Sequence, residues 1–174
     1  MIDYFTEALV LDHQEREDCH ASVLLYTKQL GRISAHAKGL RKITSRLAGH
    51  LQPLQFSKVR LVEKGTFRIA DAIGTYRIPP SVPALELVRF LTTMTFESQP
   101  DHALWAALTD AARTLRRTTR LSYQPLLEAL GFSSRFASCV SCESQRVAYF
   151  SPEAQSFLCR ACVYKSSPHE VVLV

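Results

Sequence analysis

Four of the five cysteines fall in two pairs, Cys139-Val-Ser-Cys142 and Cys159-Arg-Ala-Cys162, separated by sixteen residues. A two-residue gap lets one tight turn aim both sulfurs the same way, and two such knuckles bring four thiolates to one tetrahedral ion. The predicted chemistry is the binding of one zinc ion. Four protein ligands leave no open coordination position, so the predicted role is structural rather than catalytic. His169 is a spare candidate ligand, and Cys19 reads as buried filler in a strand. The second suggestive set is cationic. Ten Lys or Arg residues lie between Lys28 and Arg68 against one acid, Glu63, so a local +9 sits inside a total of +5. Residues 1–27 hold one basic and six acidic residues, and residues 69–174 hold ten and nine. Charge concentrated in this way predicts a polyphosphate partner, the alternative being a merely solvated face.

The elements that must carry these residues are legible as patterns. Up to about residue 78 the chain reads as five strands and one short helix. Leu9 and Leu11 alternate with Ala8 and Val10 in the first strand, and Cys19 to Thr27 forms the second with Ala21, Val23 and Leu25 on one face. In the third, the period of two sends Ile33, Ala35 and Ala37 to a core and Arg32, His36 and Lys38 to solvent. Thr44 or Ser45 caps a short helix carrying Leu47 and Leu51, which Pro53 stops. Strands over Gln55 to Glu63 and Thr66 to Tyr76 follow, joined by a tight Lys64-Gly65 turn. Three strands, a helix and two strands is the order of an OB-fold, a small barrel that binds oligonucleotides. In the fourth strand Phe56, Lys58 and Arg60 share a face, the pairing of ring and cation that single-strand binders use, although Phe56 is equally a core residue at a strand end.

Ile78-Pro79-Pro80 ends the strand pattern, and Ser81-Val82-Pro83 opens a helix with Leu85, Val88, Leu91 and Met94 at helical spacing. Pro100-Asp101 starts a second helix carrying Leu104, Leu108, Ala111 and Leu115, and Ser122 a third, closed by Gly131. Arg113, Arg116, Arg117 and Arg120 line one edge of the second helix and its exit, as a solvated face or as a dock for an acidic peptide or DNA. Between the cysteine pairs, Val147, Tyr149, Phe150 and the Ser151-Pro152 turn predict a hairpin. The expected class is α+β: an OB-fold barrel over residues 1–79, a helical domain over 80–134, and a zinc-binding segment with a C-terminal tail over 135–174.

Composition narrows the function classes. With 47% apolar and 21% charged residues the chain is an ordinary globular protein. No basic leader and no run of about 18 apolar residues is present, which predicts a cytoplasmic protein with no membrane partner. The six glycines stand at least eight residues apart, so neither a P-loop nor a GxGxxG turn can be written. A nuclease would need clustered carboxylates where only Glu63 stands, and the reading is of a protein that is not an enzyme.

TEALVLDH near the start, AKGLRK and SRLAGHLQP within Leu24 to Pro53, and LGF, CVSC, YFSPEAQSFLC and CRAC near the end together give the chain its resemblance: it resembles the RecO-type DNA repair and recombination mediators of bacteria. The resemblance spans nearly the whole chain. It implies an N-terminal OB-fold, a helical domain, and a four-cysteine zinc site. It further implies binding of single- and double-stranded DNA, annealing of complementary strands, and action with RecR in loading RecA onto DNA coated by single-stranded-DNA-binding protein (SSB). The acidic C-terminal tail of SSB is an implied partner, and the implied location is the bacterial cytoplasm, near the nucleoid. By position, Lys38, Arg41, Lys42 and Arg46 fall in the family's basic motif; with Lys28, Arg32, Phe56, Lys58 and Arg60 they complete the expected DNA contacts. The chain departs from the family in a shorter helical part, roughly fifty residues from Ser81 to Gly131, and in Gln155-Ser156 where a glycine pair usually precedes the third cysteine. Tight knuckles also favour Gly at the position held by Glu143. Two other readings remain at this stage: a zinc-stiffened interaction adaptor, and an RNA-binding OB module.

Overall fold

The computed structural model describes residues 1–15, 21–40, 42, 45–165 and 171–174; Cys19, Arg41, Thr44 and His169 lie outside the described residues. The chain divides into two compact units, Met1–Trp105 and Ala106–Val174. The first unit extends past the Pro79-Pro80 break to take in the first helix, so the barrel and that helix group together.

Five strands build the first unit: β1 (Ile2–Glu15), β2 (Ala21–Thr27), β3 (Gly31–Ala37), β4 (Gln55–Lys64) and β5 (Thr66–Arg77). They close into a barrel in the ring order β1-β2-β3-β5-β4. Every pairing is antiparallel except β3 with β5, where Ala35, His36 and Ala37 lie beside Phe67, Arg68 and Ile69. Closure removes the free edges that an open five-stranded sheet would expose. The strict alternation in β3 decides its orientation: Ile33, Ala35 and Ala37 join Ala8, Val10, Val23, Leu25, Val59 and Leu61 in one buried cluster. Gly31 starts β3 with φ +68, and a Cβ there would lie 2.2 Å from the Gln99 carbonyl oxygen, so only glycine admits the close approach of the 97–99 segment.

The helix expected between Thr44 and Leu51 does not form among the described residues, which turn instead. The Ser45 N–H donates to the Lys42 carbonyl and the His50 N–H to the Leu47 carbonyl, and the turns lower Leu40 and Leu51 into the barrel core with Leu47 packed beside them. Burying three leucines across a barrel end decides the conformation where the local helix signal is only two turns long.

Helix α1 (Val82–Met94) begins as its sequence requires, with the Ser81 side chain accepting from the Ala84 N–H. Its buried face is Ala84, Leu87, Phe90, Leu91 and Met94, so Leu91 and Met94 lie as expected while Leu85 is 60% exposed and Val88 half-buried. Phe90 is the largest apolar side chain on the helix, and burying it rotates the face by about one position. Helix α2 (His102–Leu115) is capped by Asp101, which accepts from the Leu104 N–H at 2.9 Å, and buries Leu104, Leu108, Ala111 and Leu115 as expected.

In the second unit, α3 (Gln124–Ala129) is followed by Gly131 at φ +85, and β6 (Val147–Ser151), β7 (Ser156–Cys159) and β8 (Val172–Leu173) form a sheet of order β7-β6-β8. Phe150 contacts Phe132 and Phe157 edge-on, at centroid distances of 4.9 and 5.0 Å. No helix among the described residues is long and apolar enough to cross a membrane.

Candidate nucleic-acid interface and cysteine cluster

The cations sort onto two faces of the barrel. On the first, the parallel β3–β5 pairing sets Arg68 beside His36, and Lys38 follows His36 on the same outward side. Gly39 then turns the chain so that the Lys42 stem lies over it, with 3.4 Å between the Lys42 Cδ and the place a Gly39 Cβ would occupy. Lys38, Lys42, Arg46 and Arg68 are exposed, and none forms an ion pair with a described residue. Sequence reading counted Arg68 in the cationic stretch without placing it at the site. Only the parallel pairing, which no local pattern announces, puts it there.

The second face is where β1 runs antiparallel to β4. Glu7 lies opposite Lys58 and Phe5 opposite Arg60, and Asp71 of β5 stands on the other side of Arg60. The acids that seem remote along the chain are therefore cross-strand neighbours of the cations. Arg60 forks onto Asp3 through Nε at 3.1 Å and Nη2 at 2.6 Å, with its guanidinium 5.6 Å from the Phe5 ring centroid. Lys28 sits 3.5 Å from the Glu7 carboxylate. Exposed pairs of this kind hold only about 0.2–1 kcal/mol, so the pairs do not lock the side chains. What they reduce is the field: Asp3 pairs with Arg60 and Glu7 with Lys28, while Glu7 and Asp71 stand one strand spacing from Lys58 and Arg60, inside a Debye length of about 8 Å.

Two expected contacts are corrected. Phe56 keeps the outward parity shared with Lys58 and Arg60 but is only 4% exposed, stacked on Tyr76 at 4.5 Å and met edge-on by Trp105 at 5.9 Å. It is the core residue at a strand end, because the start of α2 covers that end of β4. Arg32 was expected in solvent; it is half-buried, donates through Nη1 to the Thr92 carbonyl, and so ties β3 to α1. Beside it, Tyr26 stacks on Trp105, and its phenol pKa is raised by burial first and by Asp101 second.

The four cysteines converge. Their sulfurs lie within 4.8 Å of one another, and Cys142 Sγ is 3.6 Å from Cys159 Sγ. A tetrahedral ion with bonds of about 2.3 Å needs sulfur–sulfur edges near 3.8 Å, so the donor set fits a soft divalent cation. The first knuckle is closed by Glu143 N–H donating to the Cys139 carbonyl and Cys139 N–H donating to the Ser144 carbonyl, each at 2.8 Å. Thiols this close titrate against one another. The Cys139 pKa is lowered to about 6 by backbone hydrogen bonds, the one at Cys159 foremost, while Cys162 is pushed up to about 12 by hydrogen bonding with the sulfurs of Cys142 and Cys159.

The comparisons follow the same division. The family described as "Recombination protein O N terminal" matches residues 1–73, which is the barrel from β1 into β5. The protein named "DNA repair protein RecO" in Desulforudis audaxviator is 28% identical over 97% of this chain and 74% of its own length. The protein of the same name in Bifidobacterium animalis subsp. lactis is 30% identical over 90% of this chain and 72% of its own. The chain belongs to the RecO family. In this RecO chain the two departures noted at the knuckles have a structural expression: Glu143 (φ 58) and Gln155 (φ 46) both occupy the left-handed region that glycine prefers. The hairpin forms nonetheless, with Ser151 paired to Ser156 across the turn. Replacing Glu143 or Gln155 with Gly is expected to stabilise the Ala106–Val174 unit by about 0.5–1 kcal/mol each, read as a rise in the denaturant midpoint of that unit. The remaining expected site of the RecO chain, the arginine edge, lies at the end of α2 and beyond: Arg113 pairs with Asp110 at 2.8 Å, and Arg113, Arg116, Arg117 and Arg120 are all exposed.

Proposed function

We propose that the barrel is an OB-fold and that the protein is a non-enzymatic DNA-binding mediator of recombinational repair. The observation that carries this is the set of exposed cations Lys38, Lys42 and Arg46 after β3 and Arg68 on the neighbouring β5, none ion-paired with a described residue, in a chain whose relatives are named DNA repair proteins. The strip neutralises backbone phosphates and releases their counterions, which favours single and double strands alike and reads no sequence. Arg41, within the same motif, is assigned to this set. Two complementary strands held near such strips lose part of the mutual repulsion that slows pairing, so annealing needs no nucleotide hydrolysis. By family membership the protein works with RecR, the SSB tail and RecA, and the Arg113 to Arg120 edge is the candidate dock for the acidic tail. Cys139, Cys142, Cys159 and Cys162 hold one zinc ion, which supplies a cross-link between the two knuckles and no chemistry on DNA.

Binding of a fluorescent single-stranded oligonucleotide, titrated against salt, tests the reading. If four to six phosphates are engaged, log affinity falls against log salt with a slope of about 3 to 4. A flat salt response contradicts phosphate contact as the main term. Competition by a matched RNA strand at equal strength would assign the barrel to RNA instead.

A further inference from the structure

Lys42 and Arg46 ride on the connector from β3 to β4, whose described residues form turns and neither helix nor strand. Where an irregular segment carries binding residues, the groups that fix its backbone decide where its charges stand. Two histidines do so here, through opposite ring atoms. The Leu51 carbonyl of the connector can only accept, so the His13 ring of β1 donates to it through Nε2. The Gly74 N–H of β5 can only donate, so His50 of the connector accepts it at Nδ1, at 3.2 Å, and carries its own proton on Nε2.

The bond to His50 is built by three neighbouring features. The β4–β5 register shifts between Phe56, opposite Tyr76, and Ser57, opposite Gly74, and such irregularities re-aim backbone groups. Gly74 leaves room for the ring: a Cβ there would lie 3.3 Å from the His50 Nδ1 and 2.8 Å from the Gln55 Nε2. The Ser57 hydroxyl donates to the His50 carbonyl, so β4 holds the backbone of that residue while β5 holds its ring. With the Leu54 N–H donating to the Val10 carbonyl at 2.9 Å and Leu51 in the core, the end of the connector is tied to β1, β4 and β5. We propose that His13 and His50 are positioning residues for DNA binding, which set the connector beforehand so that Lys42 and Arg46 meet phosphates without first having to be ordered. The inference rests on the DNA reading above. A segment ordered in advance does not lose that entropy on binding, so the two histidines add affinity without touching DNA and take no share in the salt slope.

Amide substitutions test it, because Asn holds its polar atoms as many bonds from the backbone as His Nδ1, and Gln as many as His Nε2. His50→Asn and His13→Gln are expected to bind a fluorescent single-stranded oligonucleotide within about twofold of the unaltered chain, whereas His50→Gln and His13→Asn weaken it by about fivefold or more with the salt slope unchanged. Without DNA, trypsin is expected to cut after Arg46 faster in the second pair than in the first. A role of size or polarity alone would rank Asn and Gln the same way at both positions, and that ranking overturns the proposal, as do equal cutting rates. A weakened variant whose salt slope falls also overturns it, since that histidine would then contact phosphate itself. Should a variant at one position fail to fold, the order of Asn and Gln at the other still decides. If the unaltered chain binds no oligonucleotide, the DNA reading fails and takes this inference with it; salt-dependent binding that all four variants keep strikes down this inference alone.

Discussion

Replacing Lys38, Lys42, Arg46 and Arg68 together with Ala is expected to weaken single-strand binding roughly a hundredfold at low salt and to flatten the salt dependence by about 0.7 per lost contact. All four side chains are exposed and none pairs with a described acid, so their removal should change stability by no more than about 0.5 kcal/mol each. The informative control removes cations from the other face. Lys28, Lys58 and Arg60 stand beside Glu7, Asp3 and Asp71, so their replacement with Ala is expected to change affinity by less than about threefold. Fluorescence anisotropy with one oligonucleotide, at several salt concentrations, reads both sets. Equal losses from the two would mean that local charge balance does not choose the binding face.

Replacing Cys139 with Ser is expected to cost the Ala106–Val174 unit its fold while the barrel unit persists. The unit is 69 residues long, and around the knuckles its buried cluster is Cys139, Leu158 and Cys159 with Tyr149 and Val171 beside it, next to the buried Leu108, Leu115, Leu126, Leu127, Phe150 and Phe157. A core of this size supplies only a few kcal/mol, on the order of 3–5, whereas structural zinc contributes about 10–16 kcal/mol to small domains. Chelation should therefore act like the substitution: one zinc released per chain, rapid proteolysis after residue 105, and a retained β-rich circular dichroism signal from the barrel. Identical melting with and without chelator would remove the metal from the account. Acid should release the ion as well, because the ligands bind as thiolates and protons compete for them.

The parts legible in the sequence are those decided locally. The alternation of Ile33, Ala35 and Ala37, the capping by Ser81 and Asp101, and the spacing of the four cysteines each follow from bonds between near neighbours, and the structure places them as expected. What the sequence hid depends on long-range pairing. The acids of β1 and the cations of β4 are separated by about fifty residues along the chain but by one strand spacing in the barrel, so a stretch that reads as +9 gains acidic neighbours beside three of its ten cations on folding. The sequence left Phe56 open between the binding face and the core at a strand end, and the choice falls to the core because Trp105, far along the chain, covers it. Arg32 failed for the same reason, its acceptor being the Thr92 carbonyl on α1. The short helix before Pro53 failed differently: two turns of local preference yield to the burial of Leu40, Leu47 and Leu51.

The central claim is that DNA lies along the strip after β3. Lysine acetylation with and without a single-stranded oligonucleotide, read residue by residue by mass spectrometry, tests it most directly. The account predicts that DNA protects Lys38 and Lys42 and leaves Lys28 and Lys58 as reactive as before. Protection of Lys28 and Lys58 with Lys38 and Lys42 unprotected would contradict it.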